Sequence, residues 1–328
     1  MTSASSISEG AGVERFAADL RAALSETPPR IPSQYLYDPL GSALFEAICA
    51  LPWYRVTRAE TALLRAHGAE IHQQLAPLTR LVELGAGNGT KLRTLLLASP
   101  TPTAPPSVHL VDVSDAALRS ASHALADQPI ELVLHQAEYH AGLDAVSAGS
   151  HASGRSLALF LGSNIGNFDQ PSAIALLRQL RRALRSEDGL LIGFDLVKAE
   201  ADLELAYDDP LGVTAAFNRN LLVRINQELG GRIDLEGFAH RAVWDAAHAR
   251  VEMRLVSLRD QRVSIPAAGV DLALRAGDFI WTESSYKFTS DGITALLDAS
   301  GFVRLQDWVD ADARYALVLA GADRELVD

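Results

Sequence analysis

Apolar side chains at Val13, Phe16, Ala17, Leu20 and Leu24 recur at the three- and four-residue spacing that lines one face of a helix, and Pro28 with Pro29 closes that helix. Asp38 followed by Pro39 predicts a second helix, because an aspartate accepts from free amides at a helix start and proline suits the first turn. A third is expected to open at Thr57, with Glu60 three residues on completing a capping box. The first 75 residues therefore read as helical.

From there the pattern changes. Short apolar runs, RLVEL, VHLVDV, IELVLH, LALFLG and LLIGFDLV, alternate with helical stretches, among them those that begin at Gly89, Ser114 and Pro171. Strands separated by helices predict a parallel sheet with right-handed crossovers and helices on both faces, a doubly wound α/β core. After Lys198 the alternation stops. A helix through Val213, Phe217, Leu221, Leu222, Ile225 and Leu229 precedes the β-type runs FAHRAVWD, RVEMRLVSL, QRVSI and DLALRAG. The chain then returns to a helix, ITALLDASG, and two strands, FVRLQDWV and YALVLAG, which fit an antiparallel hairpin closing the parallel sheet. Two domains are expected: a core of residues 61–197 and 287–323, and a discontinuous α+β domain of residues 1–60 and 198–286. TPTAPPS at 101–107 reads as a stiff surface loop.

Composition narrows the function classes. With 328 residues, 48% hydrophobic and 21% charged, the chain can bury a large core. A formal net charge of -12 repels polyanions, and Arg178, Arg181, Arg182 and Arg185 are spaced as one solvated helix face, so no nucleic-acid partner is expected. No apolar run reaches the roughly 18 residues of a membrane span, and MTSASSISEGAGVERF lacks the basic start and apolar stretch of a signal peptide. A cytoplasmic location is expected, with a monomer as the default because no exposed heptad or interface stands out. Cys49 is the sole cysteine, which excludes an intramolecular disulfide; within LGSALFEAICAL it reads as a buried, inert thiol. The nine histidines show neither HExxH nor paired metal spacing, so no metal is expected.

The sharpest local motif is Val82-Glu83-Leu84-Gly85-Ala86-Gly87-Asn88-Gly89-Thr90-Lys91, a strand entering a glycine-rich turn and then a helix. Ligands of open parallel sheets sit beyond the carboxyl ends of the strands, and glycines let them approach the backbone. The third glycine comes one residue too early for a dinucleotide fingerprint, and Glu83 stands where such sites carry an apolar residue. ELGxGxG with an acid ending the next strand is instead the pattern of class I methyltransferases. Here that acid is Asp112, placed to accept from both hydroxyls of a ribose, and the third strand delivers Glu138 and Tyr139 where an adenine would lie.

YLYDPLGSALFEAICALPWYRVTRAE, VELGAGNGTK, LGSNIGNF, DLVKAEADLELAYDDPLGVTAAFNRN, RVEMRLVSL and TESSYKF, in this order and over nearly the whole chain, make it similar to the histidine-specific α-N-methyltransferases of ergothioneine biosynthesis, which convert histidine to its trimethylammonium betaine, hercynine. The resemblance implies a class I methyltransferase core in which Gly85, Lys91, Asp112, Glu138 and Tyr139 surround S-adenosylmethionine (SAM). Glu138 and Tyr139 depart from the family's usual Asp and Phe, preserving an acceptor and a ring. It also implies that Tyr54, Asn167 and Tyr207 hold the amino and carboxylate ends of the amino acid, with Tyr37 assisting; Tyr37 and Tyr54 are the candidates for handling the amine proton.

Ring recognition falls in the family to an acid and a serine two apart on a strand, here Glu283 and Ser285, with Met253 packing on the ring. Strand alternation puts positions i and i+2 on one face, and a carboxylate with a hydroxyl can serve both nitrogens of an imidazole, whereas an indole has one. Asn164 stands where the family usually has Thr, a departure that bears on substrate choice. The alternatives left open are an N-methyltransferase of another aromatic amino acid or amine, such as tryptophan, and a non-catalytic SAM-binding protein.

Overall fold

The computed structural model describes residues 3–98, 105–147 and 154–322; residues 101–104 of the expected TPTAPPS loop lie outside them. Two compact units emerge, one formed by Met1–Tyr54 with Ala199–Ser284, the other by Arg55–Lys198 with Ser285–Asp328.

The second unit carries the sheet that the alternation predicts. Its parallel strands are β1 (Leu78–Leu84), β2 (Ser107–Asp112), β3 (Glu131–Gln136), β4 (Arg155–Phe160) and β5 (Gly189–Asp195). The antiparallel hairpin β11 (Val303–Asp310) and β12 (Tyr315–Gly321) completes an order β11-β12-β5-β4-β1-β2-β3. Every residue of β5 and β12 is buried, which is why LLIGFD and YALVLAG read as unbroken apolar runs. The helices of this unit are α3 (Val56–Gln74), α4 (Thr90–Leu97), α5 (Asp115–Ala124), α6 (Tyr139–Ser147), α7 (Gln170–Ala183) and α10 (Ser290–Ala299). Asp169, Ser114 and Thr289 cap α7, α5 and α10 through their side-chain oxygens.

The first unit packs α1 (Ser3–Leu24), α2 (Pro39–Ala50), α8 (Glu200–Tyr207) and α9 (Val213–Glu228) with a three-stranded sheet, β10-β7-β6, and the ribbon β8-β9. These strands are β6 (Phe238–Asp245), β7 (Arg250–Ser257), β8 (Gln261–Ile265), β9 (Val270–Leu274) and β10 (Phe279–Tyr286), the last two residues of β10, Ser285 and Tyr286, belonging to the second unit. Asp38 caps α2 as expected, and the same Oδ1 accepts from Gly41 N at 2.6 Å and Asn220 Nδ2 at 2.7 Å, which ties α2 to α9.

Several expectations change. The junction falls between Tyr54 and Arg55, because α3 belongs whole to the second unit. Glu60 caps nothing: α3 starts at Val56, and the Glu60 side chain is fully buried. Cys49 is half-buried rather than buried. The short helix α8 has only eight residues, too few for a clear periodicity. No helix among the described residues is long and apolar enough to cross a membrane.

Candidate functional site

The glycine turn follows β1 directly. Gly85, Gly87 and Gly89 have φ of 74°, 51° and 74°, the left-handed region in which a Cβ is strained. Gly85 N donates to Val111 O at 2.8 Å, so the turn is bound to the end of β2. There the Asp112 carboxylate accepts from Gly87 N at 3.1 Å and Ser114 N at 2.9 Å. Burial raises the Asp112 pKa, and the Ser114 and Gly87 amides oppose that rise.

Tyr139 opens α6 and brings its hydroxyl over Gly85: a Cβ on that glycine would stand 2.9 Å from Tyr139 Oη and 2.5 Å from Asn164 Nδ2. Burial, then the Asp112 carboxylate, push the Tyr139 hydroxyl pKa up, so it stays a neutral donor. Its ring packs edge-on to Phe160 at 5.3 Å. Glu138 precedes it, half-buried. Asn164 and Asn167 bracket a 3-10 turn after β4, and Asn164 lies against Gly85 and Gly162 of the cofactor-type loops. Ser163 enters that turn at φ 58°, an uncommon conformation for a side chain with a Cβ, and its Oγ accepts from Asp195 N at 2.9 Å.

Sequence reasoning missed the carboxylate beneath this loop system. Glu60 accepts from Lys91 Nζ at 2.6 Å, from Tyr315 Oη at 2.5 Å and from Gly162 N at 2.9 and 2.8 Å to its two oxygens. Lys91, expected at the cofactor, is thereby held between α3 and the end of β4. The available signal was a charge on an apolar stripe, since Val56, Glu60, Leu64 and Ile71 share the buried face of α3.

Glu83 has a different environment. Its Oε2 is buried with no hydrogen-bond partner, and burial above all pushes its pKa up to about 8, with Lys91 opposing and Glu60 and Asp112 reinforcing. A carboxyl with a folded pKa above its ordinary 4.5 keeps its proton in the folded state while the unfolded state releases it, so stability falls from about pH 4.5 to about pH 8. Glu83→Gln should therefore gain stability over the wild type progressively across that window, by about 2–4 kcal/mol at its upper end. Thermal midpoints measured from about pH 5 to about pH 9 check this; parallel curves would show that Glu83 is not held protonated.

The turn suits an adenosyl ligand with an amino-acid tail. A Cβ on Gly87 would meet nothing within 4 Å, so the backbone there faces open space. Asp112 retains capacity for hydroxyl donors beyond the amides it serves.

In the first unit the structure gathers the three tyrosines expected at the amino and carboxylate ends of the substrate, Tyr37, Tyr54 and Tyr207, into an aromatic cluster. Tyr37 meets Phe45 and Phe217 edge-on, both at 5.6 Å; Phe45 meets Tyr54 at 6.4 Å; Tyr54 meets Tyr207 at 6.3 Å. Tyr54 and Tyr207 are buried and Tyr37 is half-buried. A residue that sequence did not single out supports Tyr207: His240 Nε2 lies 2.8 Å from Tyr207 O, and its Nδ1 lies 2.9 Å from Asn218 Nδ2. Since Asn218 Nδ2 can only donate, Nδ1 accepts and Nε2 carries the proton; burial lowers the His240 pKa and keeps the ring neutral.

Met253 is buried on β7, and its carbonyl accepts from Thr282 Oγ1 of β10 at 3.0 Å. Glu283, half-buried, follows on β10, its carbonyl accepting from Trp281 Nε1 at 2.8 Å. Ser285, two residues on, is buried, and its Oγ accepts from Lys287 Nζ at 2.8 Å.

Residues 16–322 match a family described as histidine-specific methyltransferase, SAM-dependent. The histidine N-alpha-methyltransferase of Mycobacterium tuberculosis is 37% identical over 319 residues, spanning 97% of this chain and 98% of its own. That of Mycolicibacterium smegmatis is 38% identical over 311 residues, spanning 94% and 95%. Ergothioneine biosynthesis protein 1 of Neurospora crassa is 27% identical over 301 residues, which are 90% of this chain and 34% of that longer one.

Proposed function

The chain belongs to the SAM-dependent, histidine-specific methyltransferase family, and on that premise we propose that it methylates the α-amino nitrogen of L-histidine three times, giving hercynine. The observation that carries the proposal is the match over residues 16–322 together with two relatives of that activity matched along almost their whole length. Bound SAM supplies an electrophilic methyl on a sulfonium sulfur.

Cofactor binding is assigned to the unit of Arg55–Lys198 with Ser285–Asp328: Asp112 to the ribose hydroxyls, Tyr139 and Glu138 to the adenine, Gly85 and Lys91 to the amino-acid tail. Tyr54, Asn167, Tyr207 and Asn164 are assigned to the amino and carboxylate groups of histidine, and Glu283, Ser285 and Met253 to its ring. These neutral hydroxyls and amides can orient an amine and bind a carboxylate without adding a cation near the sulfonium.

Transfer needs a neutral amine lone pair held in line at about 3 to 3.5 Å from the methyl carbon. An α-amine with a pKa of about 7.7 to 8.0 or higher must first lose a proton, and a cation brought beside another cation loses one more readily. Tyr37 and Tyr54 are the groups proposed to guide that proton away; their rings share Phe45 as a neighbour, which holds both hydroxyl-bearing side chains in place. Repeated transfer requires release of the spent cofactor between rounds.

Mass spectrometry of the product formed from histidine and SAM tests the proposal. The trimethylated product should dominate at full turnover. Accumulation of the monomethyl product alone would refute trimethylation, and turnover of tryptophan without histidine would transfer the assignment to another aromatic amine. A cytoplasmic monomer is part of the proposal; a single cysteine in 328 residues, which excludes an intramolecular disulfide, accords with a reducing compartment.

A further inference from the structure

Lys287 is a fully buried ammonium, with 0% of its side chain exposed. A buried lysine needs a counter-charge and acceptors. Asp195, at the end of β5, supplies the first: its Oδ2 lies 2.9 Å from Lys287 Nζ, while its Oδ1 lies 2.5 Å from Lys198 Nζ. The backbone fixes this arrangement, since Phe288 N donates to Asp195 O at 3.0 Å and Val197 N to Phe288 O at 3.0 Å. A second acceptor is Ser285 Oγ, at 2.8 Å.

An ammonium only donates, so in that bond Ser285 Oγ is the acceptor, and the hydroxyl's own proton points elsewhere. Two ammonium groups share the one Asp195 carboxylate, so this trio carries a net positive charge beside Ser285. A cationic N–H aimed at the same oxygen would meet that charge; a bare ring nitrogen would receive the hydroxyl proton instead. We infer that Lys287 is a positioning residue for ring recognition: held by Asp195, it sets Ser285 as the donor to one imidazole nitrogen, so that histidine binds with a neutral ring in a single tautomer. The inference rests on the assignment of Glu283 and Ser285 to the ring. The charged groups that bear on the ring's proton are then Glu283, which favours the protonated ring, and the Lys287–Asp195–Lys198 trio, which opposes it.

The test is nitrogen NMR of ring-labelled histidine bound to the protein saturated with S-adenosylhomocysteine, at about pH 5, well below the ordinary imidazole pKa of about 6.5, where free histidine is largely protonated. The bound ring should show one protonated and one bare nitrogen. Lys287→Met should raise the pKa of the bound ring by at least about one unit and the KM for histidine about tenfold, with the KM for SAM unchanged within about twofold. Ser285→Ala keeps the ion-pair trio and should shift the resonance of the bare nitrogen alone, which preserves the test if Lys287→Met does not fold. A doubly protonated ring in the wild type, an unchanged pKa of the bound ring in Lys287→Met, or an unmoved nitrogen in Ser285→Ala overturns the inference. Failure of the underlying ring assignment looks different: the wild type would not bind histidine, or Glu283→Ala would leave its affinity unaltered.

Discussion

Replacing Glu60 with alanine is expected to lower the thermal midpoint by about 5–12 °C, from a destabilisation of about 2–4 kcal/mol. The carboxylate is fully buried and serves four donor contacts from three elements, through Lys91, Tyr315 and both oxygens on Gly162 N. Truncation removes a partner from a buried pair and strands the others, and that asymmetry makes such losses larger than the net worth of the bonds. Lys91 keeps 22% of its side chain exposed and can recover water, which holds the estimate below the full penalty for a sealed charge. Glu60→Gln retains an acceptor for the Tyr315 hydroxyl and should lose less than half as much. Calorimetric scanning decides: an alanine variant within about 2 °C of the wild type would show that the carboxylate is not structural. Because Lys91 and Gly162 border the loops to which the proposal assigns the cofactor, the affinity for S-adenosylhomocysteine should also fall.

The second large effect is expected at Asp112. Two amides, Gly87 N at 3.1 Å and Ser114 N at 2.9 Å, orient its carboxylate at the end of β2, and the proposal gives it both ribose hydroxyls. Hydrogen bonds to an ionised group are worth about 1.5–3 kcal/mol each, so Asp112→Ala should weaken S-adenosylhomocysteine binding by about 100-fold or more. The loss includes the Gly87 amide, released from its acceptor at the turn to which the proposal assigns the ligand. Asp112→Asn keeps one acceptor oxygen but adds donors that face the same amides, so its loss should be intermediate. Titration calorimetry checks both variants; a change below about fivefold in Asp112→Ala would remove the ribose assignment.

Much of this protein is legible in its sequence because the deciding interactions are local. Helix caps at Asp38, Ser114 and Asp169 act over three residues, and the buried strands β5 and β12 announce themselves as continuous apolar runs. The Gly85, Gly87 and Gly89 turn is equally local, since positive φ is the reason those positions are glycine. The family pattern extended this to candidate site residues, but it could not give their neighbours.

Those neighbours were decided by the tertiary structure. Glu60 has the local look of a capping-box residue, yet its partners lie 31, 102 and 255 residues away, and only the packed sheet brings Lys91, Gly162 and Tyr315 to it. Lys287 reads as one more strand-end lysine until the end of β5 places Asp195 beside it and Ser285 within 2.8 Å. His240 gains its tautomer from Asn218 and the carbonyl of Tyr207, 22 and 33 residues distant. Sequence by itself determined the fold class, the glycine turn and the family, through periodicity and short-range geometry. Which charges are buried, and which donor faces which acceptor, was settled only by folding, because burial and long-range pairing fix the energy of a polar group and neither is a property of its sequence neighbours.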